Sequence, residues 1–503
     1  MNKKYLLLFC CVLNIYGQAI QVEETKKQVF GISLEDLIIK VVQENAKIQS
    51  EKIKTEMIEQ DILYEKGNFE SDFFVNVDHT HTNKQNSIEE SIARDQQSIY
   101  KEDISSTDIG FRGVNVYGTQ WSTTLKTYSR ENSLIDSSAN GIDKEYVSAL
   151  YLEFKQPILR GFGSHIGQIN INLAKLENKS AKEEYKKQMM RLIEEVVVGY
   201  WKLYGSYEIF KTWKETVDLI VKQKLDIQKK VRAGNMPRIS LLQIESALSS
   251  SKVEMYNALD MVEKEKNNIL LLLNSSITNN NIVLLATDKP MIESVKIPQL
   301  KDAIDISFAN FPDFNIIMNK IEQSKLNIDK ASDEMRPSLD FVGKINNDNL
   351  DRDFNGAISQ VSSDEYISWY AGFNFSIPIG GNMKASSELI KQKLKSKQLR
   401  IEKTNLKNTL VNELDLKIKD LKRDKLRHTE LKKVLDIKNE ISRLYTLQLK
   451  YGRTNAKELM DVYADAILAK RKYLKSIIDI KVSESVLYKT MGTLLKKYNI
   501  NLK

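Results

Sequence analysis

Cysteine is nearly absent from this chain: Cys10 and Cys11 are the only two, and both sit close to its start. Around them the residues carry an export pattern. Lys3 and Lys4 are basic, Tyr5 to Ile15 is an apolar run, and Gly17-Gln18-Ala19 offers small residues where a signal peptidase reads. Cleavage is expected near Ala19, so residues 1–19 form the expected signal peptide. The mature chain then has no cysteine, which excludes disulfides and thiolate metal sites. An anchor through a lipidated Cys11 is the alternative, although Phe9 and Cys10 are poor matches for the small residues such a site prefers. Proline and glycine are also sparse, at 7 and 20 in 503 residues. Few interruptions fit long helices. No later apolar run approaches the roughly 18 residues of a spanning helix.

Charge of one sign is not in large excess. Lys and Arg total 75 against 67 Asp and Glu, a net +8. No basic stretch is interleaved with aromatics, so a nucleic-acid partner is not expected. No nucleophile and base stand at a recognisable spacing. Gly161-Phe162-Gly163 has no following Lys-Ser or Lys-Thr and is not a phosphate cradle. Neither an enzyme nor a bound cofactor is expected.

What is present occurs twice. Gly234-Asn235-Met236-Pro237 opens a helix-start pattern, and Gly452-Arg453-Thr454-Asn455 opens another. Leu241-Leu242 follows the first at the distance at which Leu459-Met460 follows the second. Upstream, a strand-like run ending in Pro157 is matched by one ending in Pro378, and Asp72-Phe73 by Asp340-Phe341. The unit is too long for a solenoid repeat and reads as a duplicated domain half. Residues 20–273 form the first half, 274–298 a linker, 299–495 the second half and 496–503 a tail.

Each half is expected to run helix, strand, loop, strand, long helix, shorter helix. Ser33 to Asp36 resembles a capping box opening a helix to about Lys66. The helix expected over 168–232 carries Met189, Ile193, Val196, Tyr200, Leu203, Tyr207 and Phe210 at alternating spacings of four and three, a coiled-coil seam. It spans roughly 100 Å at 1.5 Å per residue. The flanking helices, 33–66 and 238–273, match it if stacked end to end. The second half predicts helices over 299–334, 383–451 and 456–495. Four rods per chain then form an antiparallel wall rather than a globule.

The strands alternate. Phe73, Val75 and Val77 share one face, as do Leu150, Leu152 and Phe154, and likewise Ile367, Trp369, Phe373 and Phe375. Four main strands are expected, over 72–82, 146–156, 338–346 and 366–377. Ile104 to Arg130 reads as an extra hairpin with turns at Gly113 and Tyr117-Gly118-Thr119, and 83–103 and 347–364 read as polar loops. Four strands cannot close a barrel alone, and open edges in lipid leave backbone groups unpaired. The sheet is therefore either a water-soluble sandwich capping a coiled coil or one share of a barrel built by several chains. Three chains give twelve strands. Trp369, Phe373 and Phe375, with the export pattern, point to a lipid face.

Three segments carry a family likeness. Gln156 to Gly163 resembles the strand-to-helix junction of the TolC-type outer membrane efflux proteins. Tyr451 to Val462 is similar to their second periplasmic helical turn, and Val231 to Gln243 to their first. The resemblance covers nearly all of the mature chain. It implies a mostly α protein with a small β part: a two-fold repeated α-helical coiled-coil barrel carrying a shared, trimeric, 12-stranded transmembrane β-barrel. The implied role is the outer membrane channel of a tripartite efflux or type I secretion system, in a double-membraned bacterium. The implied partners are two further copies, outer membrane lipid, a periplasmic adaptor docked on the two turns, and an inner-membrane transporter.

The resemblance also implies residue roles. Glu458 and Asp461, an i, i+3 pair on one side of a helix, would ring the periplasmic mouth with carboxylates. Acids in a first helical turn also complement the helix dipole without any pore. Ser240 and Thr454 stand where the family often has charged gating residues, which leaves Arg238 and Arg453 as substitutes to test. His79 and His81, two apart on a strand, lack an evident third ligand and are expected at the rim rather than on a metal.

Overall fold

The computed structural model describes residues 28–94, 96–136, 144–275, 282–363 and 365–501. The expected signal peptide with its two cysteines, and part of the 274–298 linker, lie outside them. The first half contains β1 (Gln28–Ile32), α1 (Leu34–Glu44), α2 (Ala46–Gly67), β2 (Asp72–Gln85), α3 (Ile88–Ala93), β3 (Ile99–Val114), β4 (Gln120–Asn132), α4 (Ser133–Asp136), β5 (Glu145–Pro157), α5 (Ser164–Gly167), α6 (Ile169–Arg232) and α7 (Arg238–Leu272). Strand β6 (Ile282–Ala286) follows. The second half contains α8 (Leu300–Asn310), α9 (Pro312–Glu334), β7 (Ser338–Asp351), α10 (Phe354–Ser359), β8 (Ile367–Ser376), α11 (Met383–Lys450), α12 (Ala456–Thr490) and α13 (Leu494–Lys497).

The helices of the two halves correspond in length: 11 and 11 residues for α1 and α8, 22 and 23 for α2 and α9, 64 and 68 for α6 and α11, and 35 for both α7 and α12. The first helix of each half is broken, where the sequence suggested one rod. Asn45 sits at φ −69°, ψ 114° and Phe311 at φ −74°, ψ 118°, both extended. Asn45 donates its side-chain amide to the Leu272 carbonyl at 2.9 Å. Pro312 begins α9, where its missing N–H costs nothing. Ser33 caps α1 as expected, its hydroxyl accepting from the Asp36 N–H at 3.1 Å.

The chain divides into two compact units. One holds the segment up to Ala46, Leu192–Ile297 and Lys419–Val486; the other holds Lys47–Arg191, Pro298–Ile418 and Leu487–Lys503. In the first unit β1 and β6 form a parallel pair. The seam residues Ile193, Val196, Tyr200 and Leu203 are buried, whereas Tyr207 and Phe210 are only partly so. The Tyr200 hydroxyl donates to the Ile32 carbonyl at 3.2 Å and accepts from the Asp288 N–H at 3.0 Å. Burial pushes its pKa up to about 12. It thereby holds the ends of both short strands to α6.

The second unit contains one antiparallel sheet in the order β2-β3-β4-β5-β7-β8. The segment read as an extra hairpin is two full members of it. Its turn is Asn115–Thr119, with Gly113 inside β3 opposite Trp121. Among the described residues this sheet therefore has six strands, two more than the four expected from the sequence. The segments read as polar loops are partly ordered too: β2 runs on to Gln85, α3 follows, β7 continues to Asp351, and α10 precedes β8. Polar, asparagine-rich strand ends lack the alternation that marks a half-buried strand. No helix among the described residues is long and apolar enough to cross a membrane.

Candidate functional site

The sheet has two unlike faces. Paired residues share a face, so a row across all six strands reads Phe73, Phe111, Thr123, Leu152, Ile345, Trp369. The next row reads Val75, Ile109, Leu125, Leu150, Asn347, Ile367. Trp121 and Phe154 stand opposite each other in a third. Aromatic rings touch along these rows: Phe73 with Phe111 at 5.2 Å, Phe154 with Phe341 at 5.5 Å, and Phe341 with Phe373 at 5.3 Å between centroids. The face is open. Trp369 is 76%, Phe373 65% and Phe375 62% exposed. No second sheet packs on it among the described residues of its unit. Contiguous exposed apolar surface of this kind marks an interaction with lipid or protein.

The opposite face is charged. Its pairs cross the strands: Asp72 with Arg112 at 3.5 Å, Asp108 with Lys126 at 4.0 Å, Glu145 with Arg130 at 2.6 Å, Glu153 with Lys344 at 2.9 Å and Asp340 with Lys155 at 3.0 Å. Exposed pairs of this kind contribute little stability each. Their consequence is a hydrophilic wall. At the end where the strands join helices, Glu70, Asp72, Arg112, Glu153 and Lys344 line an open hollow on this side.

At the other end, polar groups follow the apolar rows. The Asn347 amide donates to the carbonyls of Val361 at 2.9 Å and Ser363 at 2.5 Å. The segment after α10 thus covers that end of β7. His79 and His81 are here as well, His81 at 2.8 Å from Asp103 and His79 at 3.0 Å from the Ser105 hydroxyl. No group of three His, Cys, Asp or Glu suited to a metal occurs among the described residues.

The two helical turns lie in the other unit. Gly234 and Gly452 have φ of +73° and +72°. At each, the glycine N–H bonds three residues back and the next N–H bonds five back: Gly234 to Val231 and Asn235 to Lys230, Gly452 to Leu449 and Arg453 to Gln448. Both are Schellman C-caps, where a side chain on the left-handed residue is strained. The helices that follow start differently. Asn455 caps α12 by accepting from the Glu458 N–H at 2.9 Å, and Thr454 bonds the Glu458 carboxylate. Pro237 precedes α7 with no side-chain cap.

One apolar cluster joins the turns. Ile220, Ile227, Ile244, Leu449, Leu459 and Tyr463 are buried together, with Met236, Leu241 and Met460 packed against them. The Tyr463 hydroxyl accepts from Gln223 at 2.8 Å and also contacts the Thr446 hydroxyl at 2.8 Å. Leu459 and Tyr463 turn one face of α12 into this cluster, and Glu458 and Asp461 stay exposed on another. Arg238 and Arg453 are exposed, while Ser240 is buried.

The sequence reading named Phe73, Val75, Leu150, Leu152, Phe154, Trp369, Phe373 and Phe375 for the apolar face. It missed Ile109, Phe111, Trp121 and Leu125 from β3 and β4, although Ile109 and Phe111 alternate with polar neighbours.

The fold is similar to that of solved outer membrane channel proteins. OprN, described as an outer-membrane channel, matches with a TM-score of 0.66 at 12% identity over 91% of this chain and 89% of that one. The CmeC outer membrane channel of Campylobacter jejuni matches at 0.64 and 13% identity, over 93% and 90%. The MtrE outer membrane channel of Neisseria gonorrhoeae, in its open state, matches at 0.64 and 15%, over 92% and 89%. No protein-family model matches the sequence, and no curated protein does. At these identities the likeness is one of fold.

Proposed function

We propose that this protein is an outer membrane channel that serves as a passive exit duct of a tripartite efflux or type I secretion system. Three copies share one β-barrel in outer membrane lipid, and their helices continue as a tunnel into the periplasm. The single observation that carries the reading is the six-stranded sheet itself. Among the described residues it has an uncovered apolar face, a charged opposite face and two unpaired edge strands, β2 and β8. Lipid tolerates no open edge, so burial of that face requires further strands from other copies. The likeness in fold to outer membrane channels supports the same reading.

The rest follows from the helices. The matched lengths of the two sets support a duplicated half. A periplasmic adaptor docks on the turns at Gly234–Pro237 and Gly452–Asn455, and an inner-membrane transporter supplies the energy. Glu458 and Asp461, exposed beside a buried Leu459, ring the mouth with three copies of each carboxylate and favour cations there. The chemistry of the duct is electrostatic and steric rather than catalytic.

Fractionation tests the reading. Heat-sensitive trimers in the outer membrane fraction are expected. Recovery of a stable monomer in plain buffer would contradict it and favour a soluble periplasmic coiled-coil scaffold without a pore. For the mouth, Glu458→Ala with Asp461→Ala is expected to lower cation preference in single-channel recordings, and unchanged selectivity would remove the acidic ring.

A further inference from the structure

We propose that three copies of this chain close a barrel of eighteen strands, wider than the twelve that two strands per half would give. The proposal rests on the shared-barrel reading above and goes beyond it in strand number and bore.

The first argument is reach. The β3–β4 hairpin runs the full height of the sheet. Its turn meets the strand-to-helix junction: Thr119 donates its hydroxyl to the Gln156 side chain at 2.5 Å, and the Gly163 N–H bonds the Tyr117 carbonyl at 3.4 Å. Its outward residues continue the apolar rows, and its inward residues pair with charges on β2 and β5. A hairpin lying outside the wall would have neither.

The second argument is parity. Six antiparallel strands leave β2 and β8 running in opposite directions at the two edges. The β8 of one copy therefore meets the β2 of the next antiparallel, and closure keeps one uniform ladder. An insertion of two strands preserves this relation, and an insertion of one destroys it.

The third argument is stagger. The row that starts at Asp72, the first residue of β2, meets β8 at Tyr370, and β8 runs on to Ser376. At the other end β2 extends to Gln85, whereas β8 begins at Ile367. Both ends drift the same way, as closure of a barrel demands. The drift is six residues at the first end and ten at the other; the smaller, over about five strand spacings of 4.8 Å, gives a tilt of about 40°, inside the range of outer-membrane barrels. At that tilt twelve strands give a backbone radius of about 12 Å and eighteen about 18 Å. The cross-section roughly doubles, to the size that holds an aqueous channel.

The test uses the full mature chain with one introduced cysteine, Phe111→Cys in β3 or Phe373→Cys in β8. Each variant carries a thiol-linked environment-sensitive fluorophore and is reconstituted in phosphatidylcholine vesicles with and without brominated acyl chains. The mass of each assembly is measured alongside. Comparable quenching at both positions in an assembly of three chains is expected. Quenching at 373 without quenching at 111 overturns the eighteen-stranded wall and leaves the shared barrel standing. So does an assembly of any other number of chains. Quenching at neither position defeats the shared barrel itself. Trp121→Cys on the paired strand gives the same reading should Phe111→Cys not assemble.

Discussion

The four longer helices of each half agree in length, whereas the strands of the two halves disagree. The first half carries β2, β3, β4 and β5 where the second carries only β7 and β8, yet α6 and α11, or α7 and α12, differ in length by a few residues or not at all. Paired rods must end together, so an insertion in one would leave unmatched apolar surface on its neighbour. A sheet edge has no such constraint. It accepts a hairpin at the cost of two more strands, provided the new strands keep the two-residue alternation and arrive as a pair.

That contrast can be broken most severely by deletion. Removing Ile99–Asn132 takes out β3 and β4 together and is expected to leave a membrane-inserted assembly with a narrower bore. Removing Gln120–Asn132 alone takes out one strand and is expected to abolish assembly. Gel analysis of heated and unheated outer membrane fractions separates the two outcomes, and equal survival of both deletions would refute the parity argument.

The next largest effect concerns the faces. Phe373→Arg and Phe111→Arg each put a charge on the apolar side, at a cost of about 2–4 kcal/mol near the bilayer midplane. Asn374→Arg, one residue along on the charged side, is expected to be close to neutral. Urea unfolding of the assembled protein in lipid reports the difference. Equal costs at 373 and 374 would mean that the faces are not distinguished by lipid.

A smaller effect sharpens the comparison of helix ends. Gly234→Ala and Gly452→Ala meet open space, so only the left-handed backbone is strained, by about 1 kcal/mol. The two costs are expected to match because the two turns are geometrically alike. Gly492 ends α12 with φ +70° and lies against the Asn310 backbone, so Gly492→Ala adds a clash to the same strain and is expected to cost more. Thermal midpoints of the three variants test the ranking.

The smallest expected effect is one of pH. His428 is buried, stacked on Tyr473 at 5.0 Å, with Nδ1 2.9 Å from the Ser476 hydroxyl. Burial, and secondarily Lys432, hold its pKa below the ordinary histidine value. A lowered folded pKa means that its contribution is present above about pH 6.5, the unfolded value, and is lost as the pH falls through the folded one. His428→Gln is therefore expected to flatten the acid limb of the stability curve below about pH 6.5. An unaltered limb would assign the acid sensitivity to other groups.

Much of the helical part was legible because its signals are local. Ser33 and Asp36, the four-three spacing from Met189 to Leu203, and Gly234 and Gly452 each act within a turn or two of chain. The breaks at Asn45 and Phe311 were not read. Asn45 is fixed by the distant Leu272 carbonyl, although Pro312 was a usable signal in the second case. Strand β1 was missed because its partner β6 is remote in sequence. The apolar face was read from Phe73, Leu152, Trp369 and Phe373, but not its extension through Phe111 and Trp121. A period of two identifies a strand without saying which strand lies beside it. The roles of Glu458 and Asp461 rest on the resemblance, because acids that complement a helix dipole show the same local pattern as acids that line a pore.

Amide hydrogen exchange on the lipid-reconstituted assembly tests the central claim most directly. With the edges of β2 and β8 joined between copies, their amides are expected to exchange as slowly as those of β4 and β5 in the middle of the sheet. Fast exchange confined to β2 and β8 would mean that the sheet stays open and that no shared barrel forms.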